Sequence, residues 1–578
     1  MDNRNTVLAI ALSLVILLGW EYFFAPKAPP PGDVPPAAGV TAPATPGTAA
    51  TTAPIAAPAT AAPQAEAAPA VSAKRVKIAT PFLQGTLSLT GARFDDITLV
   101  TYRETLDPAS PPIMLLAPAN APKPYYTEWG WIASDSGVAL PGATTEWSTA
   151  TPDSALTETT PLVLTWDNGQ GLVFTRTIRA DKQYLFTVEQ SVANMSERAV
   201  TLYPYAAVVR LDSHSSGGLG LSFEGPIGAF NNQSKEIKYA DLKKKGRETV
   251  ESVGGWIGFS DHYWLSAVAF DPAVKISGSF NYSDQAGRDR FQTDLRADAI
   301  TVAPGETKSV LGYVFAGAKE LGLLDTYTQT PGLMQFDRAI DFGWYWFLTI
   351  PFFHILRWLN LALGNFGLAI LGLALMVRLL MFPIANKQYK TMNKMKKLTP
   401  EMKRLQERYK DDRTKLNQEL MELYKREKAN PLAGCLPILV QIPVFYALYK
   451  VLSVTIEMRH APFYGWIHDL SAPDPTSILN LFGLLPYDIP SFLHYISIGA
   501  WPLIMGVTMF LQQKLSPQPA DQMQARIMML MPIIITFVLA PYAAGLVIYW
   551  AWSNTLGILQ QSILLKKDRT AEAPKAAT

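Results

Sequence analysis

The sequence predicts a membrane α-helical bundle of six transmembrane helices, five of them forming a core, together with an all-β sandwich domain. Three observations carry that prediction. Residues 365–384 read NFGLAILGLALMVRLLMFPI, twenty residues with one charge, which is the length and composition of a membrane span. Further apolar stretches occupy 6–24, 432–454, 495–514, 527–543 and 545–565. Between the first stretch and the rest lie roughly 250 residues, 74–324, in which period-two alternation replaces long apolar runs.

Composition narrows the function classes. Of 578 residues 49% are apolar, and the net charge is only +2. One cysteine, Cys435, excludes a disulfide framework or a thiolate metal cluster, and no cofactor motif appears. Residues 1–24 form an apolar segment with bulky Trp20, Tyr22, Phe23 and Phe24 where a cleavage site would need small residues, so an uncleaved anchor is expected. Residues 25–73 are largely Pro, Ala, Thr and Gly and read as a semi-extended linker.

Within 74–324, the runs LVFTRTIR (172–179), YLFTVEQSV (184–192), TLYPYAAVVR (201–210) and TKSVLGYVFAG (307–317) alternate, are rich in β-formers, and are separated by turn residues. They indicate one β-sandwich domain. His214 near Asp212 and His262 beside Asp261 form conceivable catalytic pairs. No nucleophile elbow, metal spacing or phosphate loop accompanies them, which favours turn and edge roles.

Residues 335–350 are aromatic with a polar start at Asp337, Arg338 and Asp341, as in a helix lying in the membrane interface. Pro351 is expected to bend the chain into a span at 354–384. That span carries Arg378. A central Arg costs about 2.5–3.5 kcal/mol on an insertion scale, while each large apolar residue returns about 0.3–0.6. The ten Leu, Ile, Val and Phe residues from Phe366 to Phe382 offset the cost with little surplus. Arg378 lies six residues, about 9 Å by helix rise, before Ile384; it either snorkels that distance to the headgroups or occupies a polar site inside the bundle.

Residues 386–430 follow as a basic helical hairpin. Fourteen Lys or Arg stand against seven Asp or Glu in 386–428, which places this loop in the cytoplasm. Thr399-Pro400 reads as a helix start and Asp412 as the cap of the second helix. Lys394, Lys396, Lys397, Lys403 and Arg404 are its candidate contact residues. Residues 457–494 hold one Arg and no Lys and belong outside, whereas Lys514, Arg526 and the tail 566–578 belong inside. Six spans with both termini cytoplasmic satisfy every loop charge. Ala540-Pro541-Tyr542-Ala543-Ala544-Gly545 divides the last two spans. Prolines 437, 443, 502 and 532 free carbonyls inside spans and point to kinked helices around a polar space.

The motifs GNFG…VRLLMFPI, NPLAGCLPILVQIPVFYALY, WIHDLSAPDP, MGVTMFLQQKLSP and GLVIYWAWSNTLGILQQ, with the anchor, linker and β-domain, resemble the YidC family of bacterial membrane protein insertases. The resemblance implies an inner-membrane, multi-pass protein with its large domain in the periplasm. It implies a hydrophilic groove open to cytoplasm and lipid, with Arg378 and Gln441 as groove residues. It implies an apolar slide for the arriving helix at Phe445, Met505 and Met509, and an aromatic contact pair at Tyr549 and Trp550. Ala374 stands where some relatives carry Thr. The implied partners are nascent membrane proteins, the ribosome, the Sec translocon and the lipid bilayer, with no DNA and no catalytic residue. Two other classes stay open on the residues alone. An anion transporter would use Arg378 as its binding charge, though internal repeats are absent. A tethered enzyme acting on carbohydrate would use the β-domain, though fold does not carry function.

Overall fold

The computed structural model describes residues 74–578 except 214–221, 344, 410–411, 428–435, 486, 488, 491–492, 494–496, 516–521 and 573–578, and omits the side chains of 384, 387–397, 413, 436–441, 522–525 and 565–572. The expected anchor and linker, residues 1–73, therefore lie outside the described residues, as does His214.

The alternating runs become strands because one face of each can be buried. Leu172–Ala180 and Leu185–Asn194 show this most plainly, with burial switching at nearly every residue. Val200–Leu211 and Thr307–Ala318 lie close to their expected bounds but are buried more continuously, as central strands covered on both faces. The strands form two antiparallel sheets. The first has the spatial order Arg75–Ala79, Leu83–Ser88, Arg93–Arg103, Tyr125–Ala133, Val200–Leu211, Arg288–Ala297, Lys275–Gln285, Arg247–Val253. The second runs Gln233–Glu236, Gly225–Phe230, Trp256–Ser260, Trp264–Phe270, Thr307–Ala318, Leu185–Asn194, Leu172–Ala180, Leu162–Asp167. One short helix, α1 (Tyr239–Lys245), interrupts the strand order.

Aromatic pairs fill the space between the sheets, among them Phe94 with Phe186 at 5.0 Å and Trp129 with Phe270 at 5.6 Å. Two buried arginines tie the layers together. Arg176, in the second sheet, donates to the carbonyls of Ala92 (2.9 Å) and Trp129 (2.7 Å) on the side of the first. Arg210, in the first sheet, grips Asp261 through two bonds of 2.6 and 2.7 Å beneath the Tyr125 ring. The partners expected for a catalytic pair are thus used structurally: Asp261 holds Arg210, and Asp212 pairs with Arg288.

After the β-domain come α2 (Leu321–Gln329), α3 (Trp346–Leu363), α4 (Phe366–Arg408), α5 (Arg413–Arg426), α6 (Leu436–Val454), α7 (Ala500–Leu515), α8 (Gln522–Leu539) and α9 (Ala544–Glu572). The expected continuous path from 335 through Pro351 differs from the structure. Residues Phe336–Ala339 form a single 3-10 turn, and α3 begins at Trp346 and runs through Pro351. The break falls instead at Gly364, whose φ of 66° ends α3, and Asn365 then caps α4 by accepting from the Leu368 N–H at 3.1 Å. The second helix thus begins at Phe366, not at residue 354.

Thr399-Pro400 also departs from expectation. It does not start a helix; α4 continues through Pro383 and Pro400 to Arg408 in one 43-residue element. Asp412 does cap α5, accepting from the Lys415 N–H at 3.0 Å. Leu398, Met402 and Leu423 bury against each other to close the hairpin, and Arg426 bridges Glu401 at 2.7 Å. By length and composition, α3 and residues 366–383 are the two described helices able to cross a membrane. Residues 442–454 and 526–539 are shorter apolar pieces.

Lys319, at the end of the last strand, is 3% exposed and donates to Ser260 Oγ at 2.9 Å. Burial pulls its ammonium down to about 8, while Asp261, Asp341, Glu224 and Glu236 pull upward. The unfolded chain keeps that proton up to the ordinary 10.5. Between the two values the unfolded state binds more protons, so this group makes the fold more stable as pH rises. The thermal midpoint of the β-domain in full-length protein is expected to gain from pH 8 to 10 relative to a Lys319→Met variant; parallel pH profiles would contradict this.

Candidate functional site

The expected groove arginine lies on α4, and its guanidinium turns toward α9. Arg378 Nη2 donates to the Ser553 carbonyl at 2.8 Å and approaches Ser553 Oγ at 3.3 Å. Arg378 Nε is buried and has no hydrogen-bond partner among the described residues. The side chain is therefore directed across the bundle, with one donor still available.

Polar groups gather around it from two helices, α7 and α9. Ser553 and Asn554 are both 6% exposed on an otherwise apolar stretch of α9. Asn554 Nδ2 reaches Thr508 Oγ1 of α7 at 3.4 Å. Gly557 sits one turn after Ser553, and a Cβ built there would stand 2.8 Å from Gln512 Nε2 and 3.1 Å from Arg378 Nη2. Glycine thus makes the space that the guanidinium and the Gln512 amide share. Gln441 lies on α6, but its side chain is outside the described residues. Ala374, one turn before Arg378, is buried and adds no polar atom.

The expected apolar contacts divide into two groups. Phe445 on α6 meets Trp550 on α9, ring centroids 4.6 Å apart, and both are half-buried. Met509 is half-buried on α7. Met505 is fully buried, packed with Leu539, Val547 and Ala551, and Tyr549 is 2% exposed. Lys403 and Arg404 are exposed on the outward extension of α4. The side chains of Lys394, Lys396 and Lys397 fall outside the description, although their backbone is helical.

Sequence reasoning overlooked a second polar centre, where the β-domain meets the bundle. Lys450, 6% exposed near the end of α6, donates to Asp341 Oδ2 at 2.6 Å. The same carboxylate oxygen accepts from the Phe223 N–H at 3.0 Å. His262 Nε2 contacts the Ser453 carbonyl at 2.7 Å, and Arg459 donates to the Arg103 carbonyl at 2.6 Å. The signal was available: a lysine inside an apolar run needs a named partner.

The comparisons with known proteins agree with this architecture. The sequence model of the family described as 60Kd inner membrane protein matches residues 358–571, and that described as YidC periplasmic domain matches 75–355. A protein of Sinorhizobium medicae (strain WSM419) named Membrane protein insertase YidC is 48% identical over 577 residues, covering 98% of this chain and 96% of its own. The protein of that name from Sinorhizobium fredii (strain NBRC 101917 / NGR234) is 47% identical, with the same coverage. A crystal structure titled as an active YidC insertase with its first transmembrane domain resolved aligns over 85% of this chain and 92% of that one, at 18% identity and a TM-score of 0.36. A β-sheet domain followed by helices, two of them among the described residues long and apolar enough to cross a membrane, fits a membrane protein with a folded domain outside the helical part. The chain belongs to the YidC family.

The shared space at Gly557 gives a measurable expectation. Both neighbours are ends of flexible side chains, so Gly557→Ala should be nearly neutral. Gly557→Leu should overpack the site and cost about 1–3 kcal/mol, read as a lower thermal midpoint in detergent; equal midpoints for the two variants would refute the close packing.

Proposed function

We infer that this chain inserts membrane proteins into the bacterial inner membrane, as its relatives are named to do, and that it performs no covalent chemistry. The single observation that carries the mechanism is the inward course of Arg378 to Ser553, with polar Asn554, Thr508 and Gln512 nearby. In this reading six spans place both termini in the cytoplasm and the β-domain in the periplasm, an arrangement supported by the loop charges.

Transfer of an apolar segment from water to lipid supplies the driving force, about 25 cal/mol per Å². The barrier is the polar or acidic tail that must cross. A polar groove around Arg378 and Gln441 shortens the apolar path, and the guanidinium holds an acidic tail by charge-assisted bonding. The membrane potential, about 2.3 kcal/mol per charge per 100 mV, then draws the tail outward. Phe445, Met509 and Trp550, already half-exposed, meet the arriving helix first; Met505 and Tyr549 join once α7 and α9 part. The basic hairpin, through Lys394, Lys396, Lys397, Lys403 and Arg404, faces the ribosome and nascent chain. The Sec translocon is a further proposed partner.

Two experiments bear on this. In proteoliposomes, Arg378→Ala should lower insertion of an acidic-tailed substrate about tenfold while Arg378→Lys retains part of it; full activity of Arg378→Ala would leave the arginine a purely structural tie to Ser553. For the hairpin, Lys403→Glu with Arg404→Glu should weaken ribosome co-sedimentation several-fold at low salt and flatten its salt dependence. Unchanged binding at every salt concentration would remove these two residues from the contact.

A further inference from the structure

A cleft of about 550 Å³ opens in the β-domain around α1, lined by Phe223, Lys235, Glu236, Ile237, Lys238, Asp241, Lys244, Lys245 and Glu248. Its volume lies within the range of small-ligand sites. Its position is set by the joint to the helices. Phe223, in the cleft wall, donates its N–H to Asp341, and Asp341 accepts from Lys450 near the end of α6. One carboxylate therefore links the cleft wall to a membrane helix, which sets the cleft beside the bilayer surface.

The charges in the cleft are not evenly committed. Glu248 is shared by Lys235 at 2.6 Å and Lys245 at 3.0 Å, which leaves each ammonium with further donors. Lys238 and Lys244 are exposed and make no ion pair among the described residues. Four lysines in the lining face three carboxylates, Glu236, Asp241 and Glu248, and Lys238 and Lys244 stand outside the ion pairs on a concave surface with apolar Phe223 and Ile237 alongside. That combination suits a phosphate group attached to glycerol and acyl chains: the ammoniums take the phosphate and the apolar wall takes the carbon next to it.

We propose that this cleft binds the phosphate of an anionic phospholipid headgroup from the adjoining leaflet, with Lys238 and Lys244 as its principal ligands. The lipid fastens the β-domain against the membrane beside the Asp341–Lys450 pair. A soluble phosphate compound shares the headgroup chemistry, and the test separates the two.

Full-length protein is reconstituted in vesicles holding a trace of phosphatidylglycerol with a photoreactive group near its headgroup, and labelled peptides are identified by mass spectrometry. Label is expected on the 223–248 segment. It should fall at least threefold in the Lys238→Ala, Lys244→Ala double variant and with the phosphatidylcholine analogue, and persist in 10 mM inorganic phosphate. Both substitutions are at exposed positions, and label retained on the cytoplasmic hairpin controls for reconstitution. Equal labelling of wild type and variant, or of the two lipids, overturns the proposal. Displacement by inorganic phosphate also overturns it, by assigning the cleft to a soluble ligand. Insertion activity is not part of the readout, so the result is independent of the inferred function.

Discussion

A guanidinium inside an apolar helical bundle must find acceptors, and here the principal one is a backbone carbonyl. The 2.8 Å bond from Arg378 to the Ser553 carbonyl is the contact on which the polar region of the bundle depends. It joins α4 to α9 at the point where α9 carries Ser553, Asn554 and Gly557. Serine adds a second weak acceptor, and glycine leaves room for the neighbouring Gln512 amide. Since arginine keeps its proton in proteins, the charge cannot be relieved by titration. It is either matched by a carbonyl dipole or offered to a ligand.

The second constraint is the joint between domain and bundle. Lys450 and Asp341 are a charged pair at a boundary where both would otherwise lose water. Asp341 also accepts from Phe223, and His262 bonds the Ser453 carbonyl three residues beyond Lys450. Burial lowers the His262 pKa, so the ring stays neutral at ordinary pH, a suitable state for a buried position beside Lys319 and Lys450. The β-domain is thus fastened by specific polar contacts as well as by apolar ones.

Much of this was legible from residue order. The strands at 172–180, 185–194, 200–211 and 307–318 follow from alternation, because side-chain direction in a strand is fixed by the backbone alone. The tight turn between α8 and α9, and the Asp412 cap, follow from local chemistry. The misread elements have a common cause. Pro351 reads as a bend and Pro400 as the first position of a helix, yet α3 and α4 continue through them, since packing and the remaining helical bonds outweigh one lost donor. Gly364, a residue with no side chain to draw attention, makes the real break because it alone there adopts a positive φ.

The amino-acid order by itself determined the division into a β-domain and apolar helices, the basic hairpin, and the presence of one arginine deep in a span, because these depend on period, composition and length. Only the tertiary structure decided where that arginine points, that Lys450 finds Asp341 across 109 positions, and that Met505 and Tyr549 are covered while Phe445 and Trp550 stay partly open. Such facts rest on contacts between segments far apart in the chain. No local pattern encodes them; they exist only once the helices and sheets have packed.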